Sequence, residues 1–241
     1  VTPPQAVPVV PSAATPRLGD RIGRGVHFVA EAKIATPLGP MFALADAQAL
    51  RVLDFQDRRG LDAHVARVRF SLSSGAARAA SAGPRASGAE EVLLATRELV
   101  GAFFARRWSV LNAQPCGEPC APHAWLIGPL GSDSRVMIEP PRATPFMRWA
   151  WAGLLAIPAG QTRSYAQQAS AIGQPAAARA VARANAMNFI SILIPCHRVI
   201  GADGSLTGYG GGVARKRSLL EHEQSRSIPK DDQLGLFAPE P

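Results

Sequence analysis

No apolar run in this 241-residue chain approaches the eighteen or so residues that a membrane-spanning helix needs. The best stretch, FMRWAWAGLLAI, carries Arg148 and stops at Pro158, so no transmembrane segment is expected. The start, VTPPQAVPVVPSAATP, has five prolines in sixteen residues and lacks the basic end and unbroken apolar stretch of a signal peptide. It reads as an unstructured arm over residues 1–20. An initiating Met is also missing, which leaves open that the chain is a piece of something longer. Lysine is nearly absent, since 23 of the 26 basic residues are Arg, and together with abundant Ala and Gly this bias fits a GC-rich genome. The net charge of +8 therefore suggests a polyanionic partner without establishing one. Cysteines number only three, and no repeat or C-x-x-C pair is present.

At 47% hydrophobic content, the chain can build one large or two modest domains. From Gly25 to Phe55, alternating apolar and polar residues predict short antiparallel strands broken by a Pro-Leu-Gly-Pro turn. A soft small-residue segment, SSGAARAASAGPRASG, follows. Then EEVLLATRELVGAFFARR places Val92, Leu93, Thr96, Leu99, Val100 and Phe103 at helical spacing, with Glu at the start and Arg at the end. This half, residues 21–142, reads as an α+β domain without visible chemistry. Cys116, Cys120 and His123 in CGEPCAPH form a weak zinc set: three ligands, with His27 or His64 as a fourth only by folding back. An ordinary Pro-bearing loop explains the segment as well.

In the second half, Thr144 is a predicted N-cap with Pro145 at the first helical position. Ser164 caps a short Ala/Gln-rich helix, Gly173 marks a turn, and Pro175 opens a second helix rich in alanine (176, 177, 178, 180, 182, 184, 186). Two short helices joined by a Gly-bearing turn are a helix-turn-helix candidate. Arg179 and Arg183, four residues apart, project from one face, and the small alanines would let the backbone come close to a partner. Buried helix packing with solvated arginines is the plainer alternative. Residues 143–226 hold nine basic residues against three acidic ones, which concentrates positive charge around the third cysteine.

That cysteine, Cys196, ends the apolar run FISILI (189–194), expected to be a buried strand, and sits between Pro195 and His197. A buried thiol is ordinarily inert, because burial raises its pKa. His197 can take its proton directly or through a water. Glu223, three and four residues beyond Leu220 and Leu219, should turn inward and orient the histidine, while Asn188 can hold the turn. Cys, His and Glu together form the nucleophile, base and orienter of an activated nucleophile.

IPCHRVIGADGSLTGYGGG, with TRSYAQQASAIGQPAAARAVARANAMN before it and KRSLLEHE after it, closely resembles the O6-alkylguanine-DNA alkyltransferases over about residues 144–223. The resemblance implies an α+β fold: an N-terminal mixed α/β, ribonuclease H-like domain, then a winged helix-turn-helix-like domain (143–226) carrying the cysteine; the end, residues 227–241, reads from its own composition as a flexible tail. It implies single-displacement transfer of an alkyl group from O6-alkylguanine, and from O4-alkylthymine, to Cys196, once per molecule, with no organic cofactor or catalytic metal. His197, through a water, would take the thiol proton with Glu223 orienting it, Asn188 would hold both the active-site turn and the histidine, and Tyr165 would donate toward the guanine ring or the adjoining phosphate. Arg179 would fill the gap in the stack, with Ser164, Ala178, Ala180 and Arg183 also against DNA and the second helix in the minor groove. Asn185, Pro195, Val199, Tyr209 and Gly210 would line the base pocket. Gly210 departs from many relatives, which carry a larger or polar residue there. The implied partner is double-stranded DNA bearing the lesion, bound by a monomer with cooperative loading as an option, in the cytoplasm or at a bacterial nucleoid, with no membrane. Three rivals share some of these features: the methyl-accepting end of a longer damage-responsive regulator, a lesion-binding protein without transfer, and a cysteine hydrolase.

Overall fold

The computed structural model describes residues 29–73, 86–111, 113–115, 125–130, 134–140 and 143–223. The alternation over residues 29–55 produces three antiparallel strands, β1 (Val29–Ile34), β2 (Met41–Asp46) and β3 (Leu50–Phe55). The Thr36 hydroxyl donates to the Gly39 carbonyl at 2.6 Å and accepts from Leu38 N at 3.2 Å, closing the Pro-Leu-Gly-Pro turn. Gly39 adopts φ +107°, a region that favours glycine. Three strands that the sequence pattern left unassigned, β4 (Ala113–Pro115), β5 (Trp125–Leu130) and β6 (Ser134–Ile138), extend the sheet to six in the order β1-β2-β3-β6-β5-β4. Within this sheet only β3 and β6 run parallel.

Two helices cover opposite faces of this mixed sheet. Helix α1 (Leu61–Ser73) was also unassigned from sequence, although Leu61, Val65, Val68 and Leu72 lie at helical spacing among arginines; they pack on Leu44 and Val52. Helix α2 (Ala86–Phe104) buries Leu93, Leu99, Val100 and Phe103 against Ala43, Ala45, Leu53 and Phe55 on the other face. Truncating the fully buried Phe103 to Ala should cost about 3–5 kcal/mol. Ala86 to Gly88 of the expected soft segment begin α2, and residues 74–85 lie outside the described residues, as do the arm, the tail and Cys116, Cys120, His123 and His27. His64 of the zinc set lies on α1, stacked on Phe189 with ring centroids 3.8 Å apart.

The second half begins with α3 (Pro145–Leu155), whose N-cap Thr144 accepts from Met147 N at 3.2 Å. Strand β7 (Arg163–Ser164) leads to α4 (Tyr165–Ala171), where Ser164 and Gln167 form a reciprocal capping box. A 3-10 turn, Pro175–Ala177, then opens α5 (Ala178–Ala186). Strand β8 (Val199–Ile200) pairs with β7 in parallel, and α6 (Val213–His222) closes the described chain.

One expectation is corrected here. Residues 189–194 are not a strand but a series of tight turns joined to β3 by a single parallel bridge, Leu53 to Ile190. The bridge uses Leu53 N to Phe189 O (2.9 Å) and Ser191 N to Leu53 O (2.7 Å). Ile192 then takes φ +72°, unusual for a β-branched residue, which breaks the extended path. The active-site turn is thus seated on the same edge of β3 that receives β6 earlier along the strand. One continuous core, from Phe55 and Phe103 to Trp151, Ile194 and Leu219, joins the two halves.

Candidate active site

Cys196 opens a 3-10 turn, Cys196–Arg198, and its thiol is buried. Asn188 builds the support beneath it: the side-chain amide donates to Ile194 O at 2.8 Å and to Cys196 Sγ at 3.2 Å, while its oxygen accepts from Ile190 N at 2.9 Å. Asn188 therefore holds the turn and the sulfur; no bond joins it to His197, contrary to the expected double role. Burial raises the Cys196 pKa above its ordinary 9.0, opposed by the Asn188 hydrogen bond and by the positive charges of Arg58 and Lys216.

His197 is fully buried and its Nε2 lies 2.9 Å from Glu223 Oε1. Glu223 caps α6 and also receives the Arg198 fork, with Nε at 3.0 Å to Oε2 and Nη2 at 2.8 Å to Oε1, while Arg198 Nη1 donates to Ile157 O at 2.6 Å. Burial by itself would raise the Glu223 carboxyl; His197 and Arg198 outweigh it and hold the group at about 2. Burial lowers the His197 pKa, against the pull of Glu223. Full burial of the ring favours the neutral imidazole, which donates Nε2–H to a carboxylate whose charge is balanced by Arg198. His197 Nδ1 is then a buried lone pair without a partner among the described residues, available to accept a proton.

Sequence reasoning counted Arg198 and Lys216 only as part of the basic excess. Both are buried, so they do not add to an outward positive surface. Lys216 Nζ donates to Val199 O (2.5 Å) and Thr207 O (2.7 Å), and burial lowers its pKa to about 8. It ties α6 to the residues on either side of the 201–206 turn. Arg58, from the half that showed no chemistry, reaches the Cys196 turn as well.

Of the expected pocket residues, Pro195, Val199 and Tyr209 are buried, while Gly210 is exposed. Val199 lies wholly in the core and offers its carbonyl to Lys216. Asn185 is turned inward: it exchanges hydrogen bonds with Gln168 at 2.8 and 3.3 Å, tying α5 to α4 instead of opening toward a pocket. Tyr165 lies across from the loop after Cys196, its hydroxyl donating to Thr207 O at 3.2 Å. On α5, Arg179, Ala180 and Arg183 are exposed and Ala178 is half-buried, whereas Val181, Ala184 and Asn185 face inward. Trp151 Nε1 donates to Ala184 O at 2.9 Å, fixing the helix from beneath.

Comparison with known proteins places this geometry in context. The family model described as the DNA-binding domain of 6-O-methylguanine DNA methyltransferase matches residues 145–225. A methylated-DNA–protein-cysteine methyltransferase of Mycobacterium tuberculosis is 60% identical over 96 residues, 40% of this chain and 56% of that protein. The match thus spans about half the length of this relative. A protein of the same name from Salmonella typhimurium is 36% identical over 194 residues, 80% of this chain and 94% of that protein. Among solved structures, M. tuberculosis O6-methylguanine methyltransferase is 35% identical with a TM-score of 0.52, and a substituted form of M. tuberculosis OGT is 32% identical with a TM-score of 0.53. Each alignment covers 86% of this chain and 98% of the other.

Proposed function

The chain belongs to the methylated-DNA–protein-cysteine methyltransferase family, and from that premise we propose that it repairs DNA by moving an alkyl group from guanine O6 onto Cys196. The observation that carries the reading is the buried Cys196, His197 and Glu223 set, with Asn188 on the sulfur and His197 Nδ1 left as an acceptor. His197, directly or through a water, takes the thiol proton. The sulfur attacks the alkyl carbon, the S–C bond forms as the C–O6 bond breaks, and the electron pair passes to the guanine, which takes up one proton as it leaves. Tyr165 faces the departing base and can donate to it as charge develops. The thioether cannot revert to a thiolate, so one molecule repairs one base; O4-alkylthymine would react by the same displacement.

The partner is duplex DNA. The exposed face of α5, with Arg179 and Arg183 beside Ala180, suits a minor groove, with Arg179 entering the stack in place of the extruded nucleotide. Ser164 and Ala178 stand at the starts of α4 and α5 and would also meet the DNA. Tyr209, Pro195 and the Gly210 loop would enclose the base. The mixed sheet with α1 and α2 supports a ribonuclease H-like N-terminal domain over residues 21–142, and the α4–α5 pair supports a winged helix-turn-helix domain over residues 143–226. Such a DNA partner fits a cytoplasmic or nucleoid location.

Intact-protein mass after incubation with duplex containing O6-methylguanine tests the proposal. One added methyl, mapped to Cys196 and saturating at one per protein, supports it; an unchanged mass with tight lesion binding points to a sensor.

A further inference from the structure

Gly210 and Arg58 contest one volume. A Cβ built on Gly210 would lie 2.6 Å from Arg58 Cζ and Nε and 2.8 Å from Nη2, closer than real side chains approach. A free arginine would swing aside, but this one is held at every face. It forms an ion pair with the fully buried Asp54, donates to the Asn188 carbonyl, and donates to Ala186 O at 2.6 Å. Its guanidinium lies 3.8 Å over the Phe189 ring. The two carbonyls belong to the end of α5 and the chain just beyond it, whose C=O groups lack helical partners. Asp54 in turn accepts from Ser191 Oγ at 2.9 Å and from Phe55 N at 2.8 Å.

The pocket loop is grasped from its other side by Arg215. From α6, it donates to Gly211 O (2.6 Å), Leu38 O (2.9 Å) and Asp57 Oδ2 (3.0 Å), and lies 4.1 Å over Phe55. Arg215 thus bonds the Gly210–Gly211 loop and Arg58 packs against Gly210, both beside the end of β3, whose Leu53 already carries the Cys196 turn.

On the functional reading above, we propose that Arg58 is a positioning residue for alkyl transfer: with Asp54 it replaces the missing side chain at position 210 and locks the α5 end, the Asn188–Cys196 turn and the pocket loop in one geometry. The absence of a side chain at Gly210 is then a requirement of Arg58, not slack in the loop. Lys at position 58 would keep the charge but not the planar fork that reaches a carboxylate and two carbonyls together.

A double-mutant cycle of Arg58→Ala and Gly210→Ser tests this, read as the single-turnover rate of methyl transfer at saturating O6-methylguanine duplex. Each single variant should slow transfer by about tenfold or more, because small displacements of reacting groups are costly. Affinity for undamaged duplex should stay within about twofold, since neither residue faces the exposed side of α5. The double variant should be no slower than Arg58→Ala alone, because the contested volume is then free. Arg58→Lys should fall between wild type and Arg58→Ala. Multiplying effects in the cycle, or transfer by folded Arg58→Ala at the wild-type rate, would overturn the inference. If Arg58→Ala does not fold, Gly210→Ala carries the test alone: it should fold with a lowered denaturant midpoint, slow transfer and keep its affinity for undamaged duplex, and a wild-type rate refutes the proposal. Wild-type protein that never gains a methyl on Cys196 defeats the functional reading itself, a separate result.

Discussion

Replacing Glu223 with Gln removes the negative charge that faces both His197 and Arg198. In the folded protein the carboxyl is held at about 2, against an ordinary 4.5. A tenfold change in acidity corresponds to about 1.4 kcal/mol, so the carboxylate contributes about 3 kcal/mol to stability at neutral pH. Because the folded pKa is depressed, that contribution is fully present above pH 4.5 and fades as pH falls toward 2. Glu223→Gln should therefore cost about 3 kcal/mol at pH 7 but only about 1 kcal/mol at pH 3. Urea midpoints of both proteins at the two pH values measure the difference. Single-turnover transfer by the folded variant should drop by about a hundredfold, because the imidazole loses its orienter. A stability gap that stays constant from pH 7 to pH 3, or transfer at the wild-type rate, would refute the assignment of an ionised Glu223 holding a neutral His197.

Asn188→Ala leaves Ile190 N without its partner and Ile194 O with Cys196 N as its remaining donor, and should cost about 1–3 kcal/mol in denaturant titrations while slowing transfer. Arg179→Ala, at an exposed position, should change stability by less than about 0.5 kcal/mol yet slow transfer from duplex DNA more than it weakens binding to undamaged duplex; equal loss in both assays counts against the finger role. Cys196→Ala should abolish transfer while retaining DNA affinity. Iodoacetamide should label Cys196 in the native protein far more slowly than in urea at pH 7, and labelling should keep rising above pH 9, because burial shifts the thiol upward; peptide mapping separates it from Cys116 and Cys120, and rapid native labelling at neutral pH would contradict the buried thiol.

Features governed by neighbouring residues were legible in the sequence. Thr144 with Pro145, Ser164 as an N-cap, and the alternation through β1 to β3 are local signals, and the structure follows them. The pairing of His197 with Glu223 was legible because helical periodicity turned Glu223 inward beside Leu219 and Leu220. Residues 189–194 misled because an apolar run buried on all sides looks alike in a strand and in a packed turn. Nothing in an isoleucine announces φ +72°. Helix α1 was hidden by arginines that interrupt its apolar spacing. Arg58 and Asp54 were invisible as site residues because their partners lie 130 and 137 positions further along the chain.

Those separations also bear on when the nucleophile becomes armed. The Leu53–Ile190 bridge and the Asp54–Ser191 bond close loops of well over a hundred residues, so these contacts come at the end of any folding sequence that builds from local structure. Strands β1 to β3 and helix α1 can form while the chain is still growing from a ribosome, but the cradle for the thiol cannot exist until residues beyond 190 have emerged and returned to β3. Refolding followed by far-UV dichroism should therefore recover signal before transfer competence returns, and an immature chain carries its cysteine without the machinery that makes it reactive.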